Sequence, residues 1–205
     1  MNSYGTQQSE YDLFLKISKP LTDICPIWPA KGNHERKADL FLSNFPQLGG
    51  KTYYSLVYDN IRFIILDSTA LLKPGTEQNK WLQSALTDSL PAILILHHPI
   101  FSSGHHGDDL GLQFYLPQML QGSQVKAVFS AHDHDYERSL YKGLTYIVTG
   151  GGGAPLRDEN HANKYSVIFD KTNHYIIADR LGDKLIFKVY ALDDRLIDSF
   201  ELAGF

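Results

Sequence analysis

The sequence predicts an α/β protein in which two sheets pack face to face with helices outside, an α/β/β/α arrangement. Three observations carry that expectation. From Gln8 to Thr149 helical patterns alternate with short apolar runs, the order of an α/β chain. Beyond Gly153 the pattern turns to strands alone, which suits a second sheet. Two apolar runs, 92–96 and 125–129, are followed closely by His97 and His132, and α/β folds place their sites where strands end. A chain of 205 residues, 43% hydrophobic, can bury such a core as one domain over residues 1–205.

Each element follows from its own residues. Residues 8–21 carry Tyr11, Phe14, Leu15 and Ile17 at helical spacing, and Pro20 brings that helix towards its end. Ile27 and Trp28, flanked by prolines, lead into Gly32-Asn33-His34-Glu35. Residues 53–58 and 61–66 read as strands joined at Asp59-Asn60, a pair suited to a tight hairpin turn. Thr76 is the expected N-cap, with Glu77 in the first turn, of a helix reaching about Asp88. The strand 92–96 precedes a polar Gly/Ser/His loop over 100–110 and a helix near 114–120. One strand ends near Ala131 and another, 144–149, runs into Gly150 to Gly153. The tail supplies strands near 165–169, 175–178, 184–191 and 196–200, without internal repeat or linker.

Composition narrows the functions. Net charge is −4 with acids and bases interspersed, so the basic stripe that nucleic acid attracts is missing and no nucleic-acid partner is expected. No apolar run is long enough to span a bilayer, and the start carries no basic-then-apolar signal pattern, so no membrane partner is expected and localisation stays open. The lone Cys25 excludes an internal disulfide framework.

Seven of the nine histidines fall in three short segments: His34; His97 and His98 running on to His105 and His106; and His132 with His134. Imidazole nitrogens suit Zn, Fe and Mn, and the Asn33 side-chain oxygen is a competent neutral ligand beside strong donors. His132 and His134, two apart, point the same way in an extended segment and can serve one metal or two neighbouring ones.

In this order, Gly-Asn-His-Glu, a strand ending in His-x-Pro, and His-x-His-x-Tyr-Glu-Arg resemble the motifs of purple acid phosphatases, within the calcineurin-like metallophosphoesterase superfamily. The likeness runs from about Tyr4 to about Arg157 and includes the 146–155 stretch. It implies a metallophosphoesterase-type two-sheet sandwich and two divalent or trivalent ions drawn from Fe, Zn and Mn. It places Asn33, His97 and His132 on the second metal, His134 on the first, and His34 against the phosphate group. His105 or His106 would hold substrate and protonate the leaving group. The implied reaction is hydrolysis of a small phosphomonoester by a metal-bridging hydroxide, with a phosphodiester as the alternative. Oligomeric state is left open, as is export, which is frequent in the family.

Three departures from the family pattern stand out. Ala131 replaces a usual glycine, and Asp135 a usual small residue. The family's opening Asp strand and Gly-Asp-x-x-Tyr motif are not seen; Met1-Asn2-Ser3-Tyr4 falls there, with methionine for the bridging aspartate. Methionine cannot bridge hard ions. The expectation is a chain shortened at its start, with a gap or an exposed edge in one sheet and at most one tightly held metal. Such a chain would be weak or inactive alone, or would act as a binding module.

The remaining candidates receive structural readings. His98 should face away and pack, Asp67 should be a turn or cap residue, and His161 and His174 carry no motif. Gly150 to Gly153 should let backbone pass close to the site or turn sharply. Tyr136-Glu137-Arg138 should support the histidine loop through its charge pair.

Overall fold

The computed structural model describes residues 5–205. Helix α1 (Gln8–Thr22) accommodates Pro20 in its last turn and buries Tyr11. Helix α2 (Ala38–Asn44) and a 3-10 turn (Pro46–Leu48) follow. Tyr11, Phe41, Phe45 and Leu48 pack with Phe14, Ile27 and Tyr54 into a satellite core under this first part of the chain. Strands β1 (Tyr54–Tyr58) and β2 (Ile61–Ile65) form the expected hairpin. Asp59 and Asn60 both take positive φ, 49° and 58°, as a two-residue type I′ turn requires. Helix α3 (Glu77–Ala85) starts at Thr76, whose hydroxyl accepts from Asn79 N at 3.4 Å.

Strand β3 (Ala92–Ile95) leads to α4 (Leu110–Leu120), capped by Asp109, which accepts from Leu112 N at 3.0 Å. Strands β4 (Val125–Ser130), β5 (Tyr136–Tyr141), β6 (Leu144–Thr149), β7 (Ser166–Asp170), β8 (His174–Leu181), β9 (Lys184–Ala191) and β10 (Leu196–Ala203) complete the chain. The larger sheet runs β1-β2-β3-β4-β6-β5-β7, with β2, β3, β4 and β6 parallel and the outer pairings antiparallel. The smaller sheet is the antiparallel meander β8-β9-β10 with β9 central. The seven strands of the larger sheet form an unbroken ladder; β8 and β10 are the edges of the smaller one.

One face of the larger sheet is covered by α3 and α4. Leu82, Leu112, Leu116 and Leu120 pack there on Ile64, Leu94, Leu96, Val128 and Tyr146. Each such aliphatic side chain contributes about 1.5–3 kcal/mol when fully buried. The opposite face meets the smaller sheet, where Ile61, Ile93, Ile147 and Ala127 oppose Leu185, Phe187 and Val189. Because β2, β3 and β4 are covered on both faces, their apolar runs are continuous rather than alternating. The expected two-sheet α/β fold is therefore the one observed. Among the described residues, no helix is long and apolar enough to cross a membrane.

The support expected of Tyr136-Glu137-Arg138 is wired differently from an internal charge pair. Arg138 reaches across to the smaller sheet, with Nε 2.6 Å and Nη2 3.1 Å from the Asp198 carboxylate, and the Tyr136 hydroxyl donates to the same group at 2.6 Å. Glu137, on the other side of β5, takes Ser103 N at 2.6 Å and Asn163 Nδ2 at 2.9 Å. Strand alternation sends neighbours to opposite faces, so the two charges find separate partners.

Candidate functional site

The parallel strands β3 and β4 end side by side, and the chain leaving each carries histidine. Ala131 N donates to His97 O at 3.0 Å, tying the two exits together. His97 Nε2 lies 2.7 Å from Asn33 Oδ1 and 3.2 Å from His132 Nδ1. One proton on His97 Nε2 can be shared by the oxygen and the second nitrogen, so three lone-pair donors converge on one point. That is the donor set of a metal site: two imidazole nitrogens and an amide oxygen around a place where a cation could replace a proton. Burial first, then the neighbouring imidazoles, pushes His97 down to about 3 and His132 down to about 4. Both rings are therefore neutral at pH 7, the form that ligates.

Backbone geometry builds this convergence. His132 has φ of 68°, and Asp133 N donates to Ala131 O at 2.8 Å. The bond closes a three-residue turn centred on His132, a tight form that costs a non-glycine residue on the order of 1–3 kcal/mol. The positive φ falls at His132 and not at Ala131, which explains why alanine is tolerated there. The segment is turned at His132 rather than extended, so strand alternation does not set the placement of His132 and His134. On the first loop, Gly32 admits no side chain: a Cβ would lie 2.8 Å from the His97 ring. Glu35 Oε2 accepts from Gly32 N at 2.9 Å, and buried Lys31 pairs with Asp67 at 3.4 Å, fastening the loop to the end of β2. Asp67 also accepts from Thr69 N at 3.0 Å, the turn role expected of it.

His34 follows Asn33 and is exposed. His134 donates through Nδ1 to Pro155 O at 2.8 Å, which leaves Nε2 as its lone-pair nitrogen beside the cluster. His105 and His106 are exposed on the loop after β3, and the His106 ring stacks on His132 with centroids 4.2 Å apart at 28°. Arg157 Nη1 donates to His106 Nε2 at 2.6 Å. Tyr4 lies outside the described residues.

His98 does not face away as its alternation with His97 suggested. Its ring lies 4.6 Å from His132 and 4.9 Å from His97, and the three imidazoles form one group. β3 ends at Ile95, so strand alternation has stopped by His97, and Ser68 draws the ring in with Oγ 3.0 Å from His98 Nδ1. Among the described residues no carboxylate joins this group.

A row of buried acids, Asp133, Asp135 and Glu137, lies behind the imidazoles. Asp133 accepts from Ser102 Oγ at 2.6 Å, His106 N at 2.7 Å and Gly107 N at 3.2 Å. With Glu137 on Ser103 N, these bonds clamp the His105–His106 loop against the His132 turn. Asp135 has no hydrogen-bond partner on either oxygen among the described residues. Burial, then the charges of Asp133 and Glu137, pushes it up to about 7. Gly150 passes so close that a Cβ would lie 1.8 Å from Asp133 O, so this glycine lets two loops touch.

Two imidazole nitrogens and an amide oxygen thus converge where the parallel strands end, a donor set suited to a metal ion. The family model for calcineurin-like phosphoesterase matches residues 3–136, and the chain belongs to that family. It is 27% identical over 203 residues to purple acid phosphatase 13 of Arabidopsis thaliana, covering 85% of this chain and 37% of that one. Purple acid phosphatase PPD1 from yellow lupin (Lupinus luteus) seeds superimposes with a TM-score of 0.77 at 21% identity, over 95% of this chain and 43% of that one. A dimetal phosphatase from Danio rerio gives 0.66 at 16% identity, over 98% and 81%. The chain spans less than half the length of purple acid phosphatases 13, 20 and 18 of Arabidopsis thaliana, all of which it matches in sequence. The family implies divalent metal ions.

Proposed function

We propose that this chain carries the site of a metal-dependent phosphomonoesterase. The observation that supports the reading best is the meeting of Asn33 Oδ1, His97 Nε2 and His132 Nδ1 within 3.2 Å of a shared nitrogen. In this reading those three residues hold one ion tightly, and His134 Nε2 contributes to a second. Fe, Zn and Mn all suit the donors. When bound, the ions supply Lewis-acid polarisation of the phosphoryl group and a water of lowered pKa. His34, beside Asn33, neutralises charge developing on the phosphoryl oxygens. His105, exposed on the clamped loop, or His106 delivers the proton to the departing alkoxide. Asp133 and Glu137 keep that loop at the distance from His132 which the transfer needs.

Metal counting with a pair of matched esters tests the reading. About one ion should bind per chain after loading with Mn²⁺ or Zn²⁺, and p-nitrophenyl phosphate should be hydrolysed faster than bis(p-nitrophenyl) phosphate in a metal-dependent way. Faster cleavage of the diester would replace monoesterase by phosphodiesterase. The absence of a carboxylate from the described imidazole group supports a second reading, a module that binds ion and phosphate without turnover. Ion and inorganic phosphate binding with neither ester cleaved would establish it and overturn the first.

A further inference from the structure

Arg157 stands at the edge of the histidine cleft and is spent on an unusual partner. It is half-buried, its backbone N donates to His134 O at 3.3 Å, and its Nη1 donates to the Nε2 of His106 at 2.6 Å. Among the described residues it forms no ion pair with a carboxylate; the adjacent Asp158 is paired with Lys171 at 2.8 Å. A guanidinium is charged at every accessible pH and offers five N–H donors in a planar fork. Here one of them meets an imidazole nitrogen, and among the described residues no carboxylate lies within ion-pair distance of the guanidinium. In a folded protein most arginines so placed are matched to carboxylate or phosphate.

Its position says which anion. The His106 ring lies over His132 at 4.2 Å, and Arg157 contacts His106 at Nε2. In order of contacts the guanidinium thus stands one side chain beyond His132, past His106. The guanidinium is therefore placed to meet another part of a molecule whose phosphoryl group is seated at Asn33, His97 and His132. The loop bearing His106 is fixed by Asp133 at 2.7 Å, so the spacing is built into the fold rather than left to a mobile segment. We propose that Arg157 is a specificity residue for phosphomonoesters whose leaving group carries a second anionic group, a carboxylate or a further phosphate. The inference rests on the phosphomonoesterase reading of the site.

Affinities for two non-hydrolysable ligands, phenylphosphonate and 4-carboxyphenylphosphonate, test it by calorimetry on the whole Mn²⁺-loaded chain. The wild type should bind the carboxylated ligand about tenfold tighter, the scale of one charge-assisted bidentate contact in a half-open site. Arg157→Ala should bring the ratio to within about twofold of one, and Arg157→Lys, which keeps charge but loses the fork, should fall between. A merely structural role would weaken both ligands and leave their ratio unchanged, which would overturn the proposal. A wild-type ratio near one, or no binding of either phosphonate, would overturn it as well. Hydrolysis of p-nitrophenyl phosphate by the same preparation is read separately, so failure of the phosphatase reading is distinguished from failure of this one.

Discussion

Two walls meet in the segment 132–138, and they are held in opposite ways. The imidazole wall of His97, His98 and His132 touches mostly itself: its nitrogens face one another, Asn33 and Ser68. The carboxylate wall of Asp133 and Glu137 is tied down by five hydrogen bonds, three of them from backbone N–H groups of the opposite loop. The first wall keeps lone pairs free for a ligand; the second converts charge into rigidity. A site needs both, because precise placement requires anchors that take no part in the chemistry.

The largest effect should come from breaking the imidazole wall. His97→Ala removes the nitrogen at the centre of the cluster, and kcat/KM for p-nitrophenyl phosphate should fall on the order of a hundredfold or more. His97 is half-buried at the strand ends and lies outside the apolar core, so thermal unfolding should shift by only a few degrees. A variant retaining most of its activity would remove His97 from the metal set.

Asp133→Ala breaks the other wall and should do the reverse. It strands the part-buried N–H of His106 and the buried N–H of Gly107, an unsatisfied buried group costing about 1–3 kcal/mol. A loss of about 3 kcal/mol lowers Tm by roughly 6–12 °C in a chain of this size. Activity should fall as well, because the His105–His106 loop is released, while metal affinity stays. An unchanged Tm would show that the clamp is not what holds the loop.

Much of this was legible from residue order. Asp59-Asn60, Thr76 and the apolar runs declare their elements through local chemistry alone, and Asn33, His97 and His132 converge because parallel strands deliver their exits to one edge. β5 was not legible as a strand. Its buried positions hold Tyr136, Glu137 and Ser139, which are satisfied by Asp198, Ser103 and Asn163 from distant segments, so no apolar alternation marks it. α2 is seven residues long and lacks a side-chain cap, too short for a period to emerge. Arg157 carries no motif, and only contact with His106 reveals it.

His98 sharpens the comparison from within the first wall. If it belongs with His97 and His132, His98→Ala should cut kcat/KM about tenfold, the lower end for a residue that orients a ligand rather than binding directly. Ser68→Ala, which removes the hydroxyl at His98 Nδ1, should give part of that loss. Full activity in both would return His98 to packing.

Asp135 is the exception on the carboxylate wall and carries the smallest effect on activity. It is fully buried, its carboxylate oxygens receive no hydrogen bond among the described residues, and it faces two neighbouring charges. Its folded-state pKa, pushed up to about 7, lies above its ordinary value of 3.8. Between those values the folded chain holds a proton that the unfolded chain has released. Stability must then fall as pH rises across that window and level off above it. Asp135→Asn removes the titration, so its Tm advantage over wild type should grow from pH 4 to pH 7 and then stay constant. Activity should change little, while the stability difference should grow across the window by a few kcal/mol, about 1.4 for each unit between the two values. Parallel Tm–pH curves would mean that Asp135 is already neutralised by a partner, and the contrast between the two walls would lose its exception.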